Sequence, residues 1–219
     1  MSCEPIVMLT HNDITVSNAP ELFLELYTCP VEYWGIKEKG LFVEDMIKLC
    51  SNIRENGKKS VLEAVTYTEA ESVSAAYTAV RCGCDMLMGT LYSEKVHEIL
   101  KENNIKYMPF VGKVSNRPSV LEGSFERMRS EIEELKEKGV FGIDLLAYRY
   151  TGNAEALIRD LVSTSKLPIC VAGSINSYER LDFIKDVSPE FFTVGSVLFE
   201  NKFGPTIKEQ IDKIKARVV

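Results

Sequence analysis

Eight short apolar runs, each followed by a stretch of helical character, set the limits on what this chain can become. The runs are 6–10, 31–36, 60–66, 85–89, 105–111, 141–146, 168–172 and 191–194. Apolar runs this short, bounded by turn residues, read as buried strands, and strands alternating with helices make a parallel sheet with helices packed outside it. Start signals agree with the helices: Asn18-Ala19-Pro20 opens the first, Thr68 caps a helix over 69–81, and Ser93 caps one reaching 103. Gly83 and Gly139 stop the helices over 69–81 and 121–138, and further helices are expected over 153–162, 177–187 and 205–219. Eight alternating units with no linker or low-complexity tract predict an α/β fold, a single (β/α)8 TIM barrel occupying residues 1–219 as one domain. The length of 219 residues falls within the ~200–250 usual for that architecture.

Composition narrows the class of function. A formal net charge of −6 gives no footing for nucleic acid or an anionic membrane surface. No run is long and apolar enough to span a bilayer, and MSCEPIVMLTHND lacks the basic and apolar regions of a signal peptide. A cytoplasmic location is therefore expected, with the six cysteines (3, 29, 50, 82, 84 and 170) as reduced structural thiols. Cys82-Gly83-Cys84 has no second Cys or His cluster at metal spacing, so neither metal nor cofactor is expected. The homo-oligomeric state is left open.

The last two strands carry the most specific signal. Residues 168–172 end in Gly173-Ser174 and 191–194 in Gly195-Ser196, with one short helical turn over 197–200. Glycine permits close approach of backbone, so each pair can turn amides outward toward an anion. These segments, VAGSI and FFTVGSVLFENKFG, resemble the strand-7 end and strand-8 phosphate loop of the ribulose-phosphate-binding barrels. That family includes the sugar isomerase of histidine biosynthesis, phosphoribosylanthranilate isomerase and several sugar-phosphate epimerases. The resemblance implies phosphate binding at Gly173, Ser174, Gly195 and Ser196, in loops after strands 7 and 8. No Lys or Arg follows either pair closely, so a grip made mainly of amides and hydroxyls, weakly sensitive to salt, is expected.

The two halves of the chain also look alike. DMLMGTLYSEKVHEI resembles FFTVGSVLFENKFGPTI, and VLEAVTYTEAESV resembles ICVAGSINSYERL. Duplication of a half-barrel would make Gly89-Thr90 the remnant of a second phosphate site, although Val65-Thr66 replaces the other Gly-Ser pair.

Catalytic side chains in such a barrel come from the C-terminal ends of strands. Glu63 and Asp144 interrupt apolar strands, where a carboxylate needs a cation or a raised pKa. Lys37, at the end of strand 2, can polarise a carbonyl or, if desolvated, form a Schiff base; it can also simply pair with Glu63. Glu63, Asp144 and Lys37 are the catalytic candidates, expected at the barrel mouth. His11, Asp13, Lys113 and Arg149 are the substrate-binding candidates, with Arg149 a bidentate oxyanion clamp or a partner of its neighbouring tyrosines. His97, within a helix, reads as a surface residue.

The familiar catalytic residues of the family are absent. Thr10 stands where the histidine-pathway isomerase has its strand-1 acid, and Phe110-Val111-Gly112-Lys113 replaces its strand-5 acid. The strand-1 cysteine, the paired histidines and the Asp-x-Lys-x-x-Asp pattern of other members are also missing. The expectation is an enzyme moving a proton beside the carbonyl of a small phosphorylated sugar or related metabolite, as an isomerase, epimerase or aldolase-type lyase. A non-catalytic phosphometabolite sensor is the alternative.

Overall fold

Alternating inward and outward side chains build the sheet, and each strand shows which face it buries. The structure is a computed structural model describing residues 3–218. Eight parallel strands follow in chain order: β1 (Glu4–Met8), β2 (Tyr33–Lys37), β3 (Lys59–Thr66), β4 (Met86–Thr90), β5 (Lys106–Met108), β6 (Ile143–Leu145), β7 (Ile169–Val171) and β8 (Phe191–Val194). Their order in the sheet is β6-β7-β8-β1-β2-β3-β4-β5. Thus β8 lies beside β1, with Glu4 opposite Phe191 and Val7 opposite Val194. Between β5 and β6 the ladder shrinks to one bridge, Phe110 to Asp144, flanked by the bonds Phe141 N–H to Tyr107 O (3.0 Å) and Asp144 N–H to Pro109 O (3.0 Å). The result is a nearly closed α/β TIM barrel.

Two apolar layers follow from the alternation. Ile6, Met8, Val61, Met86, Met88, Met108, Cys170 and Phe191 fill the barrel interior, while the alternate residues Val7, Trp34, Ile36, Leu62, Leu87 and Val171 face the helices. Gly35 is a gap that Met8 fills: a Cβ there would lie 2.1 Å from Met8 Sδ.

The helices around the sheet are α1 (Ala19–Leu26), α2 (Val43–Glu55), α3 (Glu69–Cys82), α4 (Glu94–Glu102), α5 (Phe125–Lys138), α6 (Ala154–Thr164), α7 (Tyr178–Val187), the single turn α8 (Ser196–Phe199) and α9 (Ile207–Val218). Residue 219, expected in the last helix, lies outside the described residues. Thr68 Oγ1 accepts from Glu71 N–H at 3.3 Å, as a cap should, and Gly83 and Gly139 are left-handed C-caps. Ser93 makes no such cap bond, since its hydroxyl donates to Glu69 Oε2 (3.3 Å) instead.

Three local readings change. The helix expected from 121 begins at Phe125 with Ser124 as its cap, because Val120–Glu122 pairs antiparallel with Lys113–Ser115 and Gly123 (φ +129°) turns the chain. The first strand ends at Met8, and Thr10–His11 pairs with Ile14–Thr15 in a small hairpin. His97 is buried rather than on the surface, its ring against Tyr92 and Tyr107 at centroid distances of 6.1 and 6.0 Å. The six cysteines are all buried and unpaired.

Candidate functional site

Strand parity carries Lys37 and Glu63 to the same place. In β2, Tyr33 and Gly35 point inward, so Lys37 does too; in β3, Val61 points inward, and so does Glu63. Lys37 and Glu63 are register partners on adjacent strands. Their side chains meet with Nζ 3.3 Å from Glu63 Oε1, both being more than nine-tenths buried. The Thr10–Thr15 hairpin brings a second carboxylate, Asp13 Oδ1, to 3.1 Å from Nζ. Thr15 fixes the lysine's backbone: its Oγ1 accepts from Lys37 N–H (2.8 Å) and donates to Lys37 O (3.0 Å).

Electrostatics favour the charged forms of Lys37 and Asp13. Burial works against the charge on Lys37, but Glu63 and then Asp13 outweigh it and hold the pKa above that of an ordinary lysine. For Asp13, burial works against ionisation, and the Lys37 ammonium overcomes it, helped by Arg149 and Arg117; its carboxyl titrates below the usual range. The site thus holds a Lys37 ammonium with the ionised Asp13 on one side and Glu63 on the other.

Asp144 differs. It points into the sealed interior of the barrel and is 1% exposed, and neither carboxyl oxygen has a hydrogen-bond partner. Burial, and then the negative charge of Glu63, push its pKa well above the ordinary value against the pull of Lys37. Its protonated form is thus favoured beyond that of an ordinary carboxyl. The expectation that Asp144 stands at the mouth is corrected: it lies behind Glu63, off the cavity wall.

The mouth opens into a cavity of about 450 Å³. Lys37, Glu63 and Asp13 form one side; Gly173, Ser174, Gly195 and Ser196 form another, with Arg149, Asn12 and Ser119 between. A side recess of about 70 Å³, lined by Glu38, Arg117 and Ser119, continues past Lys37. The Gly-Ser loops have the backbone freedom their sequence suggests. Gly173 and Ser174 both have positive φ (+86° and +47°). Gly195 leads into α8, whose first N–H groups have no partner within the helix. A Cβ on Gly195 would lie 2.8 Å from Thr10 Oγ1 and 3.1 Å from Met8 Cβ. Asn12 N–H donates to Ser196 Oγ (3.1 Å), tying the first hairpin to the last loop.

The remaining candidates divide. Arg149 lines the cavity and lies over Gly173, its Cγ only 3.2 Å from where a Cβ would stand there. His11 sits just outside, edge-on to Phe199 at 5.6 Å. Lys113 is exposed on the 113–122 hairpin and pairs with Glu122 at 3.0 Å, away from the cavity wall. Gly89 and Thr90 are buried apart from the cavity: Thr90 Oγ1 lies 2.7 Å from Tyr107 OH, and Gly89 has φ +92° where its counterpart Gly195 has −140°. The two loops are not conformational copies. Among the described residues no cluster of three or more metal-ligating side chains occurs, and no helix is long and apolar enough to cross a membrane.

Sequence reasoning missed the cations that loop paths bring in. Arg180, in the first turn of α7, donates to Ser174 O and lies 3.3 Å from Asn176 Oδ1. Its guanidinium covers the Tyr148 ring at 4.2 Å. Arg117 donates to Val65 O at the rim of the recess. Of these cations Arg149 lines the cavity beside the 173–174 loop, while Arg180 braces that loop from outside the cavity wall. The local sequences SNRPS and SYERL around Arg117 and Arg180 give no hint of this, because Arg117 to Val65 and Arg180 to Tyr148 join segments far apart in the chain.

The chain has the (β/α)8-barrel fold of several solved enzymes. It superposes on orotidine 5'-phosphate decarboxylase from Pyrococcus horikoshii with a TM-score of 0.70 and 12% identity, covering 97% of this chain and 98% of that one. Against the tryptophan synthase alpha chain from Legionella pneumophila the TM-score is 0.71 at 11% identity, over 99% and 92% of the two chains. A 4-hydroxy-2-oxoglutarate/2-dehydro-3-deoxyphosphogluconate aldolase gives 0.67 at 15% identity, over 99% and 94%. No family model and no curated protein matches the sequence.

Proposed function

We propose that this barrel is an enzyme acting on a small phosphorylated sugar or related metabolite by proton transfer next to a carbonyl. The observation that carries it is the Lys37 ammonium, held 3.1 Å from Asp13 and 3.3 Å from Glu63 at one side of a cavity whose other side is the pair of Gly-Ser loops. The structural neighbours, a decarboxylase of a nucleoside phosphate and an aldolase among them, support a catalytic role on phosphorylated compounds.

In this reading the phosphate rests on the loops at Gly173-Ser174 and Gly195-Ser196, beside Arg149. The substrate carbonyl oxygen accepts a hydrogen bond from Lys37 Nζ, and Glu63 removes the proton from the adjacent carbon. The electron pair moves onto the carbonyl oxygen, giving an enediolate opposite a charge already in place. Return of the proton from Glu63 to the former carbonyl carbon, as the neighbouring hydroxyl's proton passes to the enediolate oxygen, completes an isomerisation; an epimerisation needs a second acid on the opposite face of the same carbon. Because Lys37 stays protonated, its amine is a poor nucleophile, which favours the enediolate over a Schiff-base lyase. Asp144, off the cavity wall, takes no direct part.

The test is hydrogen–deuterium exchange beside the carbonyl of a panel of phosphorylated ketoses and aldoses, followed by NMR in D₂O. Enzyme-dependent exchange that disappears in Glu63→Gln is expected. Compounds that bind without exchange or turnover would place the protein among phosphometabolite sensors instead.

A further inference from the structure

We infer that Arg180 is the positioning residue of the anion site: through Ser174 and Tyr148 it holds the loop after β7 and the loop after β6 in one arrangement. The inference rests on the phosphate reading above and goes beyond it, because Arg180 comes from a helix and does not line the cavity.

Ser174 is the odd residue of its loop. It has φ +47°, a left-handed conformation that is strained for a residue with a Cβ and persists only where surroundings impose it. Arg180 supplies that constraint. One of its nitrogens, Nη1, takes both Ser174 O and Asn176 Oδ1, so the Ser174 carbonyl is drawn toward α7. With that oxygen held by α7, the following N–H groups can face the cavity, the orientation a bound oxyanion requires. The same guanidinium lies over the Tyr148 ring, its central carbon 4.2 Å from the centroid, and Tyr148 directly precedes Arg149 in the turn Ala147–Arg149. Arg149 in turn crosses Gly173. One planar cation therefore ties the two loops that would share a phosphate. A lysine could reach the carbonyl but would lack the flat face that stacks on the ring.

The experiment compares wild type with Arg180→Met, Arg180→Lys and Tyr148→Leu. Inorganic phosphate is titrated calorimetrically, and amide exchange over 172–177 is followed by mass spectrometry without ligand. Arg180→Met should weaken phosphate binding at least tenfold and speed exchange in that segment, with the remaining strands unchanged. Arg180→Lys should recover part of the affinity, and Tyr148→Leu should cost little more when combined with Arg180→Met than Arg180→Met alone. Wild-type phosphate affinity in a folded Arg180→Met protein would overturn the inference, whatever the exchange shows. Failure of wild type itself to bind phosphate would overturn the phosphate reading, and this inference with it.

Discussion

Lys37 is a charge with no route to neutrality, and the chemistry expected of the site follows from that. Removing it would leave the buried Glu63 without its cation, a change that typically destabilises by about 3–5 kcal/mol. Lys37→Met should therefore lower the melting temperature as well as abolish turnover, while Glu63→Gln should leave folding intact and reduce turnover at least ~100-fold. Borohydride in the presence of a carbonyl substrate should trap no adduct on Lys37; a stable adduct there would replace the enediolate scheme with a Schiff base. For Asp144 the sign of the pH effect is the test. Its folded pKa is raised, so its contribution to stability is complete below the unfolded value and is lost as pH rises toward the folded one. Asp144→Asn, which cannot ionise, should match wild type near about pH 4 and exceed it by a margin that grows toward about pH 8 in thermal melts. The pairing of Lys37 with Glu63 was legible in the sequence, since both lie on neighbouring strands, Lys37 at the end of one and Glu63 within the other. The isolation of Asp144 was not, because its depth depends on where the barrel interior closes over it.

At the scale of elements, the strands were readable and the loops were not. Phe191–Val194 fell on its expected bounds, and the other runs shifted by one to three residues at their ends. Periodicity and apolar content specify such segments locally. The hairpin over 113–122 escaped because Leu121 and Val120 continue the apolar spacing of α5, and only Gly123 and Ser124 mark the break. That hairpin leans on Tyr67, whose hydroxyl donates to Asn116 O (2.7 Å) and lies 2.9 Å from Ser119 Oγ. Tyr67→Phe should leave the barrel intact yet speed limited proteolysis between 113 and 122; an unchanged cleavage pattern would show that the hairpin is held elsewhere. The likeness between the two half-chains was a real pattern of letters that backbone conformation did not repeat, as Gly89 and Gly195 show. Gly195→Val should abolish phosphate binding while preserving the circular dichroism spectrum, since its side chain would enter the space of Thr10 and Met8. Unchanged affinity in that folded variant would place the anion site elsewhere.

For the whole molecule, eight units along the sequence were enough to specify the barrel, because a twisted parallel sheet of eight strands with helices outside has one economical way to bury both faces. What they could not specify was the unevenness of its wall. The β5–β6 seam has a single bridge, whereas β8 and β1 share four register pairs, and Lys215 Nζ on α9 reaches Glu4 Oε1 on β1 at 2.6 Å. The first and last elements are thus neighbours, joined more firmly than two strands in the middle of the chain. The order in which the units are threaded is then separable from the shape they make. A circular permutant that links the two ends by a short flexible bridge, and begins anew at Gly139, would cut a connection where a side chain on the glycine would touch nothing within 4 Å. It would keep every strand ladder, and it should fold to the same barrel with the Lys37 cluster intact.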